Sequence, residues 1–361
     1  MQKKLIALAV AGLVSAPVFA QSNVSIYGIA DAYMGFGSHG DNDYAGVDQG
    51  GLFGSRIGFR GTEDLGNGLK AVFTLEQGIN IDNGTGLGGA SRQSFVGLAG
   101  AFGAVTLGRQ YAPGWDFQYD AFAGSIVSPQ YLLSSGVDSS ISPTGATRWD
   151  NSVAYNGMFS GLKVRAIYSM AAGEDTSATS LAAGNWADPS DDDAMGLGLE
   201  YANGPLKVGA VYQVLQTASN AVTADDQTEW LLGGSYNFGV ATLALSYQDA
   251  EGLNKLKGQD AKLWQVGVIV PVGAAGNVHL GYGEVKHDDA FGLNTKSAKS
   301  KSYSVAYTHA LSKRTTAYTG YNRTDNDTGL ALGPIADLDK SGLRNGGENS
   351  DLFVFGVNHT F

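Results

Sequence analysis

The sequence predicts an all-β fold, a transmembrane antiparallel up-and-down β-barrel of sixteen strands, on the strength of three observations. Segments that alternate apolar and polar residues recur along the chain, eight long polar connections alternate with short turns, and an export signal precedes the first alternating segment. Helical periodicity is absent over any useful window, and no later stretch approaches the length of a membrane-spanning helix. If the chain crosses a membrane, it does so with strands.

The N-terminal segment has the three parts of a secretory signal peptide. Lys3 and Lys4 supply the positive charge, an apolar run of ten residues follows, and small residues suited to cleavage stand at Val18 and Ala20. The order of these parts disfavours the alternative, a buried N-terminal helix. We expect cleavage after Ala20, so that residues 1–20 are removed and residues 21–361 form a single barrel domain.

Strand-like alternation is seen, for example, in four segments, residues 24–31, 264–270, 302–308 and 353–361. The last of these places Phe353, Phe355, Val357, His359 and Phe361 on one side of the final predicted strand. The faces opposite the apolar ones carry Ser, Thr, Gly, Gln, Lys and Arg, whereas a soluble sandwich would place bulky apolar residues there. The pattern therefore predicts a closed barrel with a wet interior, because closure leaves no unpaired strand edge in lipid.

The connections alternate in length, as they do between the two rims of a membrane barrel. Short turns occur near residues 65–68, 100–103, 158–161, 203–205, 238–239 and 311–313. The eight long connections lie at roughly 37–51, 81–90, 111–147, 173–190, 219–226, 252–259, 288–297 and 326–349. Removal of 20 residues from 361 leaves about 21 residues for each strand with its connection, enough for a tilted membrane strand.

Composition excludes several classes of protein. The net charge of −11, which becomes −13 without Lys3 and Lys4, argues against nucleic acid as a partner. There is no cysteine, so no disulfide contributes to the fold. The five histidines show no metal-ligand spacing, and we expect neither a metal nor a cofactor. A barrel enzyme would need a catalytic constellation at a rim, and these scattered histidines do not supply one.

The third long connection, residues 111–147, is too apolar for a solvated loop, since it contains Trp115, Phe117, Tyr119 and Phe122. We expect it to pack inside the barrel, with a large exposed loop as the alternative. It also carries three carboxylates: Asp116, Asp120 and Asp138.

Basic residues are expected to face this loop from the wall, because a charge facing lipid at the midplane would cost about 2–4 kcal/mol. Alternation turns Arg56 and Arg60 inward, and we expect Arg92 to lie opposite an outward Gln93 and Phe95. Arg109 shares the outward parity of Val105 and Leu107 unless the strand ends or bulges first. The predicted constriction wall comprises Arg56, Arg60, Arg92, Arg109, Arg148, Lys163 and Arg165, with Arg148 opposite an outward Trp149. A basic wall facing an acidic loop would sort ions by charge; alternatively, each basic residue only anchors the loop.

The chain resembles the general diffusion porins of Gram-negative bacteria, and is most similar to the neisserial and β-proteobacterial type. The matching segments are NVSIYGIADA (23–32), SRIGFRGTEDLGNGLKAVFTLE (55–76), SRQSFVGLAGAFGAVTLGRQ (91–110), RWDNSVAY (148–155), LSKRT (311–315) and GVNHTF (356–361). The resemblance implies a homotrimer in the outer membrane whose third long loop folds into the lumen. It also implies passive diffusion of small hydrophilic solutes and ions, with contacts to outer-membrane lipids and lipopolysaccharide.

By position, the resemblance places Asp116 and Asp120 on the constriction loop, and Arg56, Arg92, Arg109 and Arg148 on the wall. Phe353, Phe355, Val357 and Phe361 resemble the signal that the outer-membrane assembly machinery reads. The long connections match the family least. A substrate-specific outer-membrane channel therefore stays open as the alternative function, and ion selectivity is not predicted.

Overall fold

A computed structural model describes residues 23–89, 91–134, 141–143, 148–170, 193–217, 224–288, 297–335 and 347–361. The predicted signal peptide, residues 1–20, lies outside these residues, as does Asp138. Among the described residues, no helix is long and apolar enough to span a membrane.

Seventeen β-segments form one closed antiparallel sheet of sixteen barrel strands, so the predicted fold class is confirmed. They are β1 (Asn23–His39), β2 (Asn42–Gln49), β3 (Arg56–Gly66), β4 (Leu69–Gly78), β5 (Gln93–Gly100), β6 (Gly103–Tyr111), β7 (Arg148–Phe159), β8 (Leu162–Ser169), β9 (Ala194–Asn203), β10 (Leu206–Leu215), β11 (Gln227–Asn237), β12 (Thr242–Glu251), β13 (Asp260–Val272), β14 (Gly276–Asp288), β15 (Ala298–Ala310), β16 (Thr315–Asn326) and β17 (Ser350–Thr360). Two short helices, α1 (Pro113–Asp116) and α2 (Pro129–Ser134), lie between β6 and β7.

The second barrel strand is interrupted and consists of β2 and β3. For this reason seventeen β-segments form sixteen barrel strands. β2 pairs with residues 32–39 of β1, and β3 pairs with residues 23–29 of the same strand. The prediction of a long connection at residues 37–51 is therefore wrong, because β1 and β2 form a hairpin with only Gly40 and Asp41 between them. The segment is rich in Gly and Asp, yet β2 forms a continuous ladder with β1, and these backbone hydrogen bonds hold it as a strand. The true break is at residues 50–55.

The barrel closes between the first and last strands. β1 and β17 pair from Ile29 with Thr360 to His39 with Ser350. Beyond this ladder, the Gly28 N–H donates to the Phe361 carbonyl at 3.0 Å, and the Phe361 N–H donates to the Gly28 carbonyl at 3.1 Å. No strand edge remains open at the junction, as a barrel in lipid requires.

The two surfaces of the sheet differ as alternation predicts, with one exception. Outward positions carry exposed apolar residues, such as Val96 and Leu107. Most inward positions are polar or glycine, but from β8 to β17 several inward apolar residues are buried, among them Ile167, Leu231, Leu263 and Val285. The expectation of polar inward faces throughout is therefore wrong on this side, because connections that fold inward cover it.

Candidate functional site

Three arginines that the sequence assigns to the wall gather around one tyrosine and one glutamate. The Arg92 guanidinium donates to the Tyr111 hydroxyl at 2.7 Å and, through Nε, to the Glu76 carboxylate at 3.0 Å. Arg148 donates to the same hydroxyl at 3.2 Å, and its guanidinium carbon lies 4.7 Å from the centre of the Tyr111 ring. Arg56 lies 3.8 Å from Glu76. We call Arg56, Arg92 and Arg148 the arginine cluster.

Glu76 is the cluster's counter-charge, and sequence reasoning missed it. It is only 4% exposed and also accepts a hydrogen bond from the Tyr27 hydroxyl at 3.0 Å. Cross-strand pairing puts Gly58 opposite Glu76, on the same face as Arg56 and Arg60. Alternation could have identified Glu76, because its neighbour Leu75 is apolar and faces outward.

The other predicted wall residues divide into two groups. Arg165 and Lys163 lie inward on β8 and contact α1: Arg165 pairs with the Asp116 carboxylate at 2.5 Å, and the Lys163 ammonium lies 4.8 Å from the Phe117 ring centre. Arg60 is exposed and lies over the Tyr27 ring at 4.9 Å.

Arg109 lies away from the arginine cluster. It pairs across the ladder with Ser94, on the face that bears the exposed Val96. Its guanidinium bonds to Asp150 at 2.6 Å and to the Ser91 carbonyl at 2.6 Å. The placement of Arg109 on the pore wall is therefore corrected. A bulge does follow Gly108, but alternation holds from Thr106 to Gln110 and leaves Arg109 outward.

Two further predictions of side-chain direction, both based on strand alternation, are also corrected. Gln93 pairs with the inward Glu76, so Gln93 and Phe95 face inward rather than outward. Arg92 precedes this strand and reaches Glu76 from the connection. Trp149 is 1% exposed and packs with Ala112 and Ala154, inside the barrel rather than on its outer surface.

The connection after β6, residues 112–147, is called L3; the structure describes residues 112–134 and 141–143 of it. L3 lies against the inward face of the wall from β8 to β16. His279 Nδ1 lies 2.7 Å from the Ala121 carbonyl, and the Ser304 hydroxyl donates to the Val127 carbonyl at 2.6 Å. The Ser142 N–H donates to Glu229 at 2.9 Å.

A row of inward glycines gives L3 its space. A Cβ built on Gly198 would lie 2.5 Å from the Phe117 ring, and one on Gly281 would lie 2.5 Å from the Phe122 ring. A Cβ on Gly233 would overlap the ring of Tyr119. The row comprises Gly198 on β9, Gly209 on β10, Gly233 on β11, Gly267 on β13, Gly281 on β14 and Gly320 on β16. Sequence reasoning missed this role of the glycines.

The described carboxylates of L3 are occupied by partners. Asp116 pairs with Arg165, as described above. Asp120 accepts hydrogen bonds from the backbone of Phe122 at 3.0 Å and of Gly124 at 3.1 Å, and from the Ser128 hydroxyl. Burial raises the pKa of the Asp120 carboxyl above its usual range, and these hydrogen bonds act in the opposite direction. Asp120 therefore shapes the loop rather than facing the passage.

A second connection, besides L3, packs against the inward face of the barrel through apolar contacts. In the last long connection, Leu332 is 3% exposed and clusters with Leu133 and Ile141 of L3 and with the wall residues Leu263 and Val285. L3 and this segment thus cover the inward face of the wall from β8 to β17. The arginine cluster lies outside this covered part, at the start of β3, at the start of β7 and just before β5.

The predicted assembly signal is an outward stripe on the last strand. Phe353, Phe355, Val357 and Phe361 are between 43% and 48% exposed, while Leu352 and Val354, at the alternate positions, are buried inward. The alternation found in the sequence is thus present in the structure.

A closed antiparallel barrel with basic side chains on its inner wall and a loop against its inward face has the architecture of a membrane channel. The chain belongs to the Gram-negative porin family, whose model matches residues 7–329. It is 32% identical over 369 residues to outer membrane porin protein 32 of Delftia acidovorans, with 100% of both chains covered. It is 46% identical over 120 residues to major outer membrane protein P.IB of Neisseria gonorrhoeae, covering 31% of this chain and 33% of the relative.

Among solved structures, the chain is similar to the anion-selective porin from Comamonas acidovorans. The TM-score is 0.73 at 27% identity, with 94% of this chain and 100% of that chain covered. The protein is an integral outer-membrane porin, a channel for passive diffusion of small hydrophilic solutes and ions, and not an enzyme.

Proposed function

We propose that this porin prefers anions, and that the arginine cluster sets the preference. The observation that carries the proposal is the local excess of positive charge: two guanidinium groups, those of Arg56 and Arg92, share one carboxylate, Glu76, and Arg148 lies beside them against Tyr111. The described carboxylates of L3 do not restore the balance, because Asp116 is paired with Arg165 and Asp120 is enclosed by its own loop. Fixed positive charge in a narrow passage attracts anions and repels cations. The similar structure from Comamonas acidovorans is described as anion-selective, which supports the same direction.

The test is the reversal potential of the reconstituted porin in a potassium chloride gradient across a planar bilayer. The wild-type protein should show the sign of an anion-selective pore, and Arg148→Glu should move the potential toward cation preference. Lys313→Glu, the same charge reversal in the short turn after β15, is the matched control and should leave the potential nearly unchanged. A cation-selective wild-type pore, or an Arg148→Glu potential equal to that of the control, would overturn the proposal.

We also propose a homotrimer. The outward faces of β1, β4 and β5 present exposed apolar side chains, among them Ile26 at 63%, Leu75 at 50% and Val96 at 58%. Such a surface can contact either lipid or a second copy of the barrel, and the family resemblance favours the trimer. Native mass measurement in detergent should give three chains per particle; a monomer that conducts in single steps would contradict it.

Outer-membrane lipids, lipopolysaccharide and the assembly machinery are proposed as further partners. An outward aromatic group supports the lipid contact: the ring centres of Trp264 and Tyr282 are 5.2 Å apart, and those of Tyr282 and Tyr303 are 5.1 Å apart. The outward stripe that ends at Phe361 supports recognition by the assembly machinery. Deletion of Phe361 should reduce the amount of folded porin in the outer membrane, whereas normal assembly would exclude this role.

Residues 1–20 are proposed as a cleaved signal peptide. The support is the charged start, the apolar run and the small residues at Val18 and Ala20. N-terminal sequencing of porin extracted from outer membranes should begin at Gln21, and a sequence that begins at Met1 would refute cleavage.

A further inference from the structure

The break in the second barrel strand is organised around one buried carboxylate, that of Asp31 on β1. Asp31 is 0% exposed. The carboxylate accepts hydrogen bonds from three consecutive backbone N–H groups, those of Gly51 at 2.9 Å, Leu52 at 3.1 Å and Phe53 at 3.1 Å. Three backbone donors on one buried carboxylate hold residues 50–55 in a fixed turn.

Two side chains from the last two strands, β16 and β17, also bind the Asp31 carboxylate. The Tyr318 hydroxyl donates to the Asp31 carboxylate at 2.6 Å, and the Asn358 amide donates at 2.8 Å. Gly51 makes room for this arrangement, because a Cβ there would overlap the Tyr318 hydroxyl. Asp31 thus receives five hydrogen bonds.

The turn that Asp31 holds carries two carbonyl groups that accept hydrogen bonds from Arg56 and from L3. The Gly54 carbonyl accepts from Arg56 Nε at 2.9 Å. The Gly51 carbonyl accepts from the Ile126 N–H, in the middle of L3, at 3.0 Å. One short segment therefore contacts both a member of the arginine cluster and the loop that narrows the passage.

We propose that Asp31 is a positioning residue for ion selection. Through residues 50–55 it fixes the direction of the Arg56 guanidinium and holds the middle of L3 against the wall, without itself touching the permeating ion. The inference rests on the proposed function, because Arg56 acts on selectivity only if the arginine cluster does.

The charge of Asp31 allows a sharp test with Asp31→Asn. If the side chain acted only as a negative charge near the pore, its removal would increase anion preference. If it positions Arg56, the asparagine cannot accept from all of the donors, the turn relaxes, and anion preference falls toward that of Arg56→Gln. Asp48→Asn on β2 removes the same charge close by, and it serves as the matched control, because the hydrogen bonds of Asp48 go to Tyr33 and Gln49 rather than to residues 50–55 or to the described part of L3.

A second readout tests the loop directly, because the chain contains no cysteine. Ser125 lies beside Ile126 and is 1% exposed, so Ser125→Cys should react slowly with a water-soluble maleimide in folded porin. Combination with Asp31→Asn should accelerate labelling, and combination with Asp48→Asn should not.

Unchanged or increased anion preference in folded Asp31→Asn, or an unchanged labelling rate, would overturn the inference. If Asp31→Asn does not fold, Tyr318→Phe removes one donor and should shift both readouts in the same direction by a smaller amount; no shift would overturn the inference equally. If Arg56→Gln leaves selectivity unchanged while labelling still accelerates, the proposed function fails and the holding of L3 by Asp31 stands.

Discussion

Arg165 on β8 and Asp116 in α1 form an ion pair of 2.5 Å, and this pair fastens the first turn of L3 to the wall. Arg165 also donates from Nη2 to the Tyr111 carbonyl and from Nη1 to the Asn156 side-chain oxygen at 3.1 Å. The side chain of Arg165 is 10% exposed and that of Asp116 is 26% exposed, so the pair is partly screened from solvent. Arg165 therefore contacts both the last residue of β6, Tyr111, and the start of L3, at Asp116.

Replacement of Asp116 should therefore affect both stability and selectivity. Asp116→Asn leaves the buried Arg165 without its counter-charge, which should lower the free energy of unfolding by about 1–3 kcal/mol. It also removes a negative charge from the lumen, so anion preference should increase. Denaturant unfolding and reversal potentials measure the two effects, and equal stability with decreased anion preference would contradict the assignment.

Tyr111→Phe tests the hydroxyl that Arg92 and Arg148 share. The ring remains for stacking, but both guanidinium groups lose an acceptor, at a cost of about 1 kcal/mol per hydrogen bond. We expect the arginines to become more mobile, with noisier single-channel current and weaker selectivity. Tyr155→Phe removes a hydroxyl that bonds to the Phe102 carbonyl near a short turn, and it should leave the current as in wild type.

Gly233→Ala tests the row of glycines under L3. The new Cβ overlaps the Tyr119 ring, so the loop must move from the wall into the passage, and single-channel conductance should fall. Gly46→Ala on β2, where the added Cβ meets only the end of the Tyr44 side chain at 3.2 Å, is the control and should conduct normally. Equal conductance in both variants would show that L3 does not depend on this contact.

Arg109→Gln tests whether Arg109, which faces outward, contributes to ion selectivity as the arginine cluster does. Because Arg109 faces outward and its partner Asp150 is 40% exposed, loss of the pair should change stability by less than about 1 kcal/mol. Reversal potentials should match those of the wild-type porin, whereas Arg56→Gln should shift them. A shift of similar size in Arg109→Gln would return this residue to the pore wall.

Sequence alternation was sufficient to predict the strands and side-chain directions of most of the barrel, because each membrane strand must present apolar residues to lipid at every second position. It placed Arg56, Arg60, Lys163 and Arg165 inward, as the structure does. It failed near strand ends, at Gln93 and Phe95 at the start of β5 and at Trp149 beside the bulge between β6 and β7. There the side-chain direction depends on bulges and on contacts with L3 rather than on parity.

The partners within the constriction could not be predicted in the same way. Glu76 lies 16 residues from Arg92, and the Ser304 hydroxyl that holds L3 lies 177 residues from Val127. These contacts depend on strand register and on the path of L3 across the lumen, which local sequence does not encode.

The sequence by itself determined that this chain is a barrel in the outer membrane, because alternation and turn chemistry are local and the lipid imposes them on every strand. Only the tertiary structure decided which charges remain beside the passage. It pairs Asp116 with Arg165, encloses Asp120 and turns Arg109 outward, and it gathers three arginines around Tyr111. The physical reason is that the field in a pore depends on distances between charges from different strands, and folding alone sets those distances.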